Sequence, residues 1–333
     1  MNISIIIPNW NGADYIESSI ESLLTQSMKI KIIVVDNGST DESLKILNIY
    51  KNRIEIIRNN NNLGFAGGVN VGMRKTLKDD NPSFIGLLNN DAIADSRWIE
   101  NLLGEFDSNT GIVTSKILHS NGLLIDSTGE FYTNYGLTFS RGRDHKISKK
   151  NILSGEVFGA SGGASLYSVK MLKEIGLFDE DFFAYYEDVD LSFRARLAGW
   201  NIKYCDNAKA LHRIGATSKK IKGFTTYQTM KNLPWLLIKN VPLRYLPTTI
   251  VRFSLVYMSF LITAGLRGDL RYALKGLVVS LLLLPKKLVQ RYKIQSTKKV
   301  SSKDIWALVV KDLPENAHKL RRLRRLMSLG YLK

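Results

Sequence analysis

Over its first 120 residues the chain alternates two hydrophobic patterns. Apolar, β-branched runs of strand length occur at 3–7, 30–35, 54–57, 84–88 and 112–117. Between them, apolar residues recur at helical spacing: Ile16, Ile20, Leu23 and Leu24 after the first run, Val69 to Leu77 before the fourth, and Trp98, Leu102 and Leu103 after it. Ser39-Thr40-Asp41-Glu42 has the form of a capping box opening the helix after the second run. This β-α-β alternation predicts an α/β fold, a mixed, mainly parallel sheet flanked by helices. Each strand run stops on polar residues: Pro8-Asn9-Trp10-Asn11-Gly12, Asp36-Asn37-Gly38, a glycine-rich loop over 59–68, and Asn89-Asn90-Asp91. In a parallel sheet these stops share the carboxyl edge, where α/β folds bind their ligands.

Farther along, 118–155 is rich in Gly, Ser, Asn and Arg and reads as an irregular insertion or hairpin. Phe158 to Ala164 is a small-residue stretch suited to close approach of a ligand. A helix is predicted over 169–175. Glu187, Asp188 and Asp190 fall in the first turn of another, running to about Ala198, where the helix dipole favours acids. A strand-like 202–204 leads to Leu211-His212-Arg213 and to Lys219 and Lys220, which either close over phosphates or begin a solvated basic face. Beyond about 225 come apolar runs at 253–266 and 276–285, bounded by Arg252, Arg267, Lys275, Lys286 and Lys287. Each run falls short of the ~20 residues that span a bilayer. Near the end, Leu320, Leu323, Leu326 and Met327 share one helical face.

Charge divides the chain. Residues 1–200 carry 20 Lys and Arg against 25 Asp and Glu; residues 201–333 carry 27 against 5, most of the formal +17. The basic part points to a polyanionic partner. Short apolar segments flanked by Lys and Arg suit an anionic membrane surface. No nucleic-acid-binding motif accompanies the charge, so nucleic acid is not the expected partner. The lone Cys205 excludes an internal disulfide and a cysteine zinc site, and fits a reducing compartment. Met1-Asn2-Ile3-Ser4 enters a strand directly, without the basic region of a signal peptide.

Four segments in order then become specific: Ile5-Ile6-Ile7-Pro8-Asn9-Trp10-Asn11-Gly12, Val34-Val35-Asp36-Asn37-Gly38-Ser39-Thr40-Asp41, Asn62-Leu63-Gly64-Phe65-Ala66-Gly67-Gly68-Val69-Asn70 and Glu187-Asp188-Val189-Asp190-Leu191, with Asn89-Asn90-Asp91 before the last. Together they resemble family-2 glycosyltransferases of the GT-A fold, especially rhamnosyltransferase-like members, over roughly residues 2–220. The resemblance implies an inverting transfer of a sugar, rhamnose by family analogy, from a dTDP- or UDP-sugar to a hydroxyl of a glycan or lipid-linked glycan in cell-surface polysaccharide synthesis.

It also implies roles. Asp36 would accept the ring N–H of uracil or thymine, with Pro8 and Asn9 lining that pocket. Gly64, Phe65 and Asn70 resemble the donor-side loop. Asn89 and Asn90 would contact the donor, Asn89 replacing the first acid of an Asp-x-Asp pattern near the ribose. Asp91 would hold Mg²⁺ or Mn²⁺ against the diphosphate, with His212 as second ligand. Asp188 would be the general base, with Glu187 and Asp190 positioning it or touching the acceptor. The expected organisation is a catalytic domain over 1–220 and a basic, amphipathic helical region over 221–333. The expected location is cytoplasmic, peripheral at the inner face of the cell membrane. The competing expectation from another class is a non-catalytic sugar-nucleotide-binding scaffold in an assembly complex. Oligomeric state is not legible.

Overall fold

The computed structural model describes residues 2–147, 153–213 and 221–313. Its strands are β1 (Ile3–Asn9), β2 (Lys31–Asp36), β3 (Glu55–Arg58), β4 (Phe84–Leu88), β5 (Ala92–Ala94), β6 (Thr110–His119), β7 (Ile125–Ser127), β8 (Glu130–Tyr132), β9 (Thr138–Ser140), β10 (Gly155–Glu156), β11 (Ala164–Ser168) and β12 (Asn201–His212). The helices that alternate with them are α1 (Ile16–Leu24), α2 (Ser43–Ile49), α3 (Gly64–Asp79), α4 (Trp98–Gly104), α5 (Val169–Ile175) and α6 (Glu187–Leu197). A helical region follows: α7 (Phe224–Asn240), α8 (Leu246–Leu266), α9 (Leu270–Leu282), α10 (Leu284–Ser296) and α11 (Ser302–Ala307).

The main sheet runs β10-β12-β6-β11-β4-β1-β2-β3. β3, β2, β1 and β4 are parallel, β11 is antiparallel to β4 and β6, and β12 is parallel to β6. This is the mixed, mainly parallel GT-A sheet. Ile5, Ile6 and Ile7 alternate between two cores, one on each face, which is why these strands read as unbroken apolar runs. In register, Asn9 pairs with Asp36, so the polar stops of β1 and β2 lie side by side at the carboxyl edge.

Several elements differ from expectation. The capping box does not form: α2 starts at Ser43, and Ser39 Oγ instead accepts from Asn9 Nδ2 (3.3 Å) and Asn11 N (2.9 Å). Asp41 likewise takes the Ala13 and Ser43 N–H groups (both 3.0 Å), so the two residues tie the β1 and β2 loops together. The glycine-rich loop ends at Leu63, and Gly64 to Gly68 are already helical. Tertiary packing overrides the glycine penalty, for a Cβ on Gly72 would meet Ile6 and Val35 within 3.0 Å. The strand expected at 202–204 extends to His212, paired along β6. Within the supposedly irregular 118–155, β7 joins β6 and β8 pairs with β9. The apolar run at 253–266 is the end of a 21-residue helix, because Pro247 sits in its first turn and Thr248, Thr249 and Arg252 are carried within it. Lys219, Lys220 and the predicted helix near 320–327 lie outside the described residues.

A third core joins the helical region to the rest. Tyr132, Phe158, Phe182, Val189 and Phe193 pack with Leu233, Trp235, Leu236 and Phe253. Beside it runs a buried ion network. Lys239 Nζ lies 2.6 Å from Asp179 Oδ2 and 2.8 Å from Asp190 Oδ1, and Lys287 Nζ lies 2.8 Å from Asp179 Oδ2 and 2.7 Å from Asp181 Oδ2. Asp190 also pairs with Arg194 (2.9 Å) and accepts from Asn240 Nδ2 (2.8 Å). It therefore holds α7 to α6, the helix whose first turn carries Asp188, and is itself fully buried.

Candidate active site

The carboxyl edge opens on a cavity of about 660 Å³, a size suited to a small organic ligand. Pro8, Asn9, Asn37, Asn62, Gly64 and Phe65 line one part of it; Asn89, Asn90, Asp91 and His212 another; Asp126, Glu130, Arg143, Glu187 and Asp188 a third.

Asp91 and His212 meet although 121 positions separate them, because β5 and β12 pair antiparallel with His212 opposite Ala92. His212 Nε2 is 3.2 Å from Asp91 Oδ1, and His212 Nδ1 is 2.7 Å from Asp126 Oδ2. Arg143 completes the row, its guanidinium 2.6 Å from Asp126 Oδ1. Burial disfavours charge on His212, but the Asp126 and Asp91 carboxylates prevail and raise it to about 9. Without a ligand it is an imidazolium.

Among the described residues no cluster of three or more His, Cys, Asp and Glu is arranged to hold a metal. The set nevertheless fits a cation completed by ligand oxygens. Asp91 and His212 present an O and an N donor side by side, and Asp126 buttresses the far nitrogen, as carboxylates do behind metal-ligating histidines. Asn89, whose Nδ2 is 3.4 Å from His212 Nε2, carries a buried Oδ1 with no partner.

Asp188 also lines the cavity, from the first turn of α6. Its Oδ2 accepts from Gly162 N (2.9 Å) and its Oδ1 from Val189 N (2.8 Å). Burial pushes its carboxyl up despite these donors, making it a stronger base than an exposed aspartate. Glu187 is pushed well above the usual carboxylate range, by burial first and then by Asp188. Its Oε2 is buried without a partner. Glu130 is a third buried acid. Burial and then the charge of Asp188 push it up to about 8, while Ser127 and Ser140 hydroxyls donate to its Oε1 (3.1 and 3.0 Å).

Two expected ligand residues are not on the cavity wall. Asp36 is only 1% exposed; Asn9 Nδ2 donates to its Oδ1 and Ser39 N to its Oδ2, both at 3.1 Å. It stands behind Asn9 and sets that amide's orientation, and Asn9 Oδ1 in turn accepts from Asn90 Nδ2 (2.8 Å). Asn70 faces away from the donor loop. Its amide exchanges two hydrogen bonds with the Phe178 backbone and donates to Glu180 Oε1, because the second turn of α3 turns it toward the 178–180 loop.

The segment before Asp188 is strained. Phe183, Tyr185 and Tyr186 have φ of 64°, 69° and 73°, a region that costs L-residues about 1–2 kcal/mol each. Three neighbours hold it there. Buried Asn232 donates from Nδ2 to the carbonyls of Phe182 (3.0 Å), Ala184 (2.9 Å) and Tyr185 (2.8 Å). Lys231 Nζ donates to the carbonyls of Asp181 and Phe182. Ala66 N donates to Phe183 O (3.1 Å) where α3 starts. Gly64 permits that approach, since a Cβ there would lie 2.4 Å from Phe183 O. Asn232→Ala is expected to lower turnover roughly 100-fold, the cost of an ångström-scale misplacement. Nucleotide affinity should stay within about twofold, as steady-state kinetics beside calorimetry would show.

Sequence reasoning missed Asp126, Glu130, Arg143 and Asn232. The first three lie in or near very short strands with polar neighbours, and Asn232 lies in a region whose composition spoke only of lipid. No local pattern marks any of them.

Comparison with known proteins agrees with this architecture. Residues 4–176, just over half of the chain, match the sequence profile of "Glycosyl transferase family 2". A low-salt glycan biosynthesis hexosyltransferase, Agl10 of Haloferax volcanii, is 28% identical over 63% of this chain and 67% of its own length. The O-antigen chain rhamnosyltransferase RfbN of Salmonella typhimurium is 25% identical over 66% of this chain and 69% of its own. A Haemophilus influenzae glycosyltransferase is 33% identical over 33% of this chain, and that match spans 34% of the relative's length. Among solved structures, S. aureus TarS 1-349 superposes with a TM-score of 0.54 at 17% identity, over 89% of this chain and 91% of that one. With the profile spanning β1 to α5 and the GT-A sheet carrying the cavity at its carboxyl edge, the chain belongs to glycosyl transferase family 2.

Proposed function

We propose that the protein is a metal-dependent, inverting glycosyltransferase. It moves a hexose, with rhamnose as first candidate, from a dTDP- or UDP-sugar to a hydroxyl of a glycan or lipid-linked glycan. One observation carries this reading: a single cavity is lined both by the Asp91–His212 pair and by the buried Asp188 carboxylate. The glycan-building roles named for Agl10 and RfbN support the product class.

The nucleoside occupies the part lined by Pro8, Asn9, Asn37 and Asn62, whose shape is fixed by the hydrogen bonds of the Asn9 amide to Asp36 and Ser39 and of the Asn37 amide to Asn62 and Gly64. Asp91 and His212 would hold Mg²⁺ or Mn²⁺, which would supply charge neutralisation to the departing diphosphate. Asp188 takes the proton of the acceptor hydroxyl as that oxygen bonds to the anomeric carbon. The bond from that carbon to the diphosphate oxygen breaks on the opposite face, and the nucleoside diphosphate leaves with the bonding pair. A single displacement inverts the anomeric configuration. Mass spectrometry of transfer products across a nucleotide-sugar panel, with NMR of the new linkage, tests this. A retained configuration, or donor binding without transfer to any acceptor, would refute it.

A pH effect follows from His212. Its folded pKa of about 9 lies above the ordinary 6.5. Its ion pairs therefore stabilise the fold fully below the ordinary value, and that contribution is lost as pH rises through about 9. Ligation needs the neutral ring, so Mn²⁺ must displace a proton. Mn²⁺ affinity in the presence of UDP is expected to rise with pH, by up to about tenfold per unit, and to level off near pH 9. Calorimetry in buffers of different ionisation enthalpy reads both the slope and the released proton. A pH-independent affinity would remove His212 from the ligand set.

A further inference from the structure

The surface of the helical region is apolar. Of the 22 large hydrophobic side chains exposed among the described residues, 14 lie between Ile250 and Tyr292. They are ordered. α9 is built inside out: Ala273, Gly276 and Ser280 face the protein, while Leu274, Val278 and Leu281 face outward. On α8, Phe253, Val256 and Ala264 face inward and Leu255, Met258 and Ile262 outward. A helix of a water-facing surface has the reverse pattern. Residues 244–293 hold nine Lys and Arg against one acid, Asp269; of the nine, Lys287 is buried with Asp179 and Asp181, and Lys286 pairs with Asp181. Arg252, Arg267, Arg271 and Lys275 are exposed.

By length and composition α8 is able to cross a membrane. Its packing keeps it on one side. Phe253 and Val256, near its start, enter the core shared with the catalytic elements. Tyr257 OH donates to Met230 O of α7 (2.6 Å), and Ala264, near its end, packs on Met230 and Ala273. Both ends thus rest on the same body. α9 follows at once and, at 13 residues, reaches about 20 Å, short of a ~30 Å hydrocarbon core.

We infer that α8 and α9 form an in-plane anchor whose outer face lies in the interface of an anionic bilayer, with Arg252, Arg267, Arg271 and Lys275 against the headgroups. The anchor also places the active cavity. Ile221 and Phe224 of the cavity wall continue into a shallow groove lined by Tyr227, Tyr272 and Lys275, the last two on α9. The mouth thus opens beside the lipid-facing helix, and the acceptor class is a glycan carried on a lipid. This last step rests on the glycosyltransferase reading; the anchor does not.

The test is flotation of the full chain with phosphatidylcholine vesicles containing about 30 mol % phosphatidylglycerol, beside Leu274→Glu/Val278→Glu/Leu281→Glu. Wild type is expected to float and the variant to lose binding at least about tenfold, with UDP binding unchanged. High salt or pure phosphatidylcholine should weaken wild-type flotation, and alkaline carbonate should strip the protein from membranes. Four results would overturn the anchor: failure of wild type to float, equal flotation of the variant, resistance to carbonate, or a wild-type dimer that the variant converts to monomer without any vesicle effect. Flotation without sugar transfer to any acceptor would sink the glycosyltransferase reading and spare the anchor. Transfer to soluble acceptors without flotation would do the opposite.

Discussion

Asp188→Asn is expected to reduce kcat by a factor of about 10²–10⁴, the usual contribution of a positioned general base. Binding of UDP or dTDP should stay within about twofold, because the proposed function assigns nucleoside and metal to other lining residues, Pro8, Asn9, Asn37, Asn62, Asp91 and His212. The substitution is isosteric, and α6 stays anchored through Asp190 to Lys239 of α7. The amide keeps an acceptor for one of the two backbone N–H groups that Asp188 now serves. What is removed is the carboxylate's charge and proton-accepting capacity, with one backbone hydrogen bond. The pH profile supplies a second readout. Burial raises the Asp188 carboxyl, so wild-type kcat/KM should fall as pH drops through that raised value, and the residual activity of the variant should lack this limb. Wild-type turnover in purified, folded Asp188→Asn would remove the base assignment.

The largest effect on stability is expected from Lys239→Met. Lys239 is almost fully buried between Asp179 and Asp190, so its loss strands carboxylates in a low-dielectric core. Breaking such a network by removing one partner costs about 3–5 kcal/mol, a fall in Tm on the order of 10 °C. Burial opposes ionisation of both acids, yet Lys239, helped by Lys287 at Asp179 and Arg194 at Asp190, holds them below the usual carboxylate range. Their contribution is therefore present above the ordinary carboxylate pKa of about 4 and lost as pH falls through the depressed folded values. The gap between wild type and variant should narrow in acid. Denaturant melts at neutral pH and at about pH 3.5 measure it; an unchanged midpoint at neutral pH would show the network to be dispensable.

The central strands were legible because both of their faces are buried, which leaves runs such as Ile5-Ile6-Ile7 with no polar interruption. The alternation of strand and helix, and the polar stops at the strand ends, followed from that; the order of the strands is seen in the structure. The edges of the fold were harder. β7, β8 and β9 are three residues each and draw their stability from contacts made elsewhere, so composition showed only a loop. The first turn of α3 read as a loop for the opposite reason. Its glycines disfavour helix locally and are kept for close packing.

The sequence by itself determined the α/β alternation, the polar stops at the carboxyl edge, and the residue types offered there, Asp91, His212 and Asp188 among them. Those depend on local periodicity and on residue type, which a linear reading contains. Only the tertiary structure decided what stands behind them. Asp126 orients His212, Asn9 shields Asp36, and Asn232 holds the left-handed turn before Asp188, each across a separation that no local pattern spans. The same holds for the basic tail. Its charge was plain from composition. That Lys239 and Lys287 are spent inside, while Leu274, Val278 and Leu281 are left outside, is settled by packing, because burial is a property of neighbours and not of the residue.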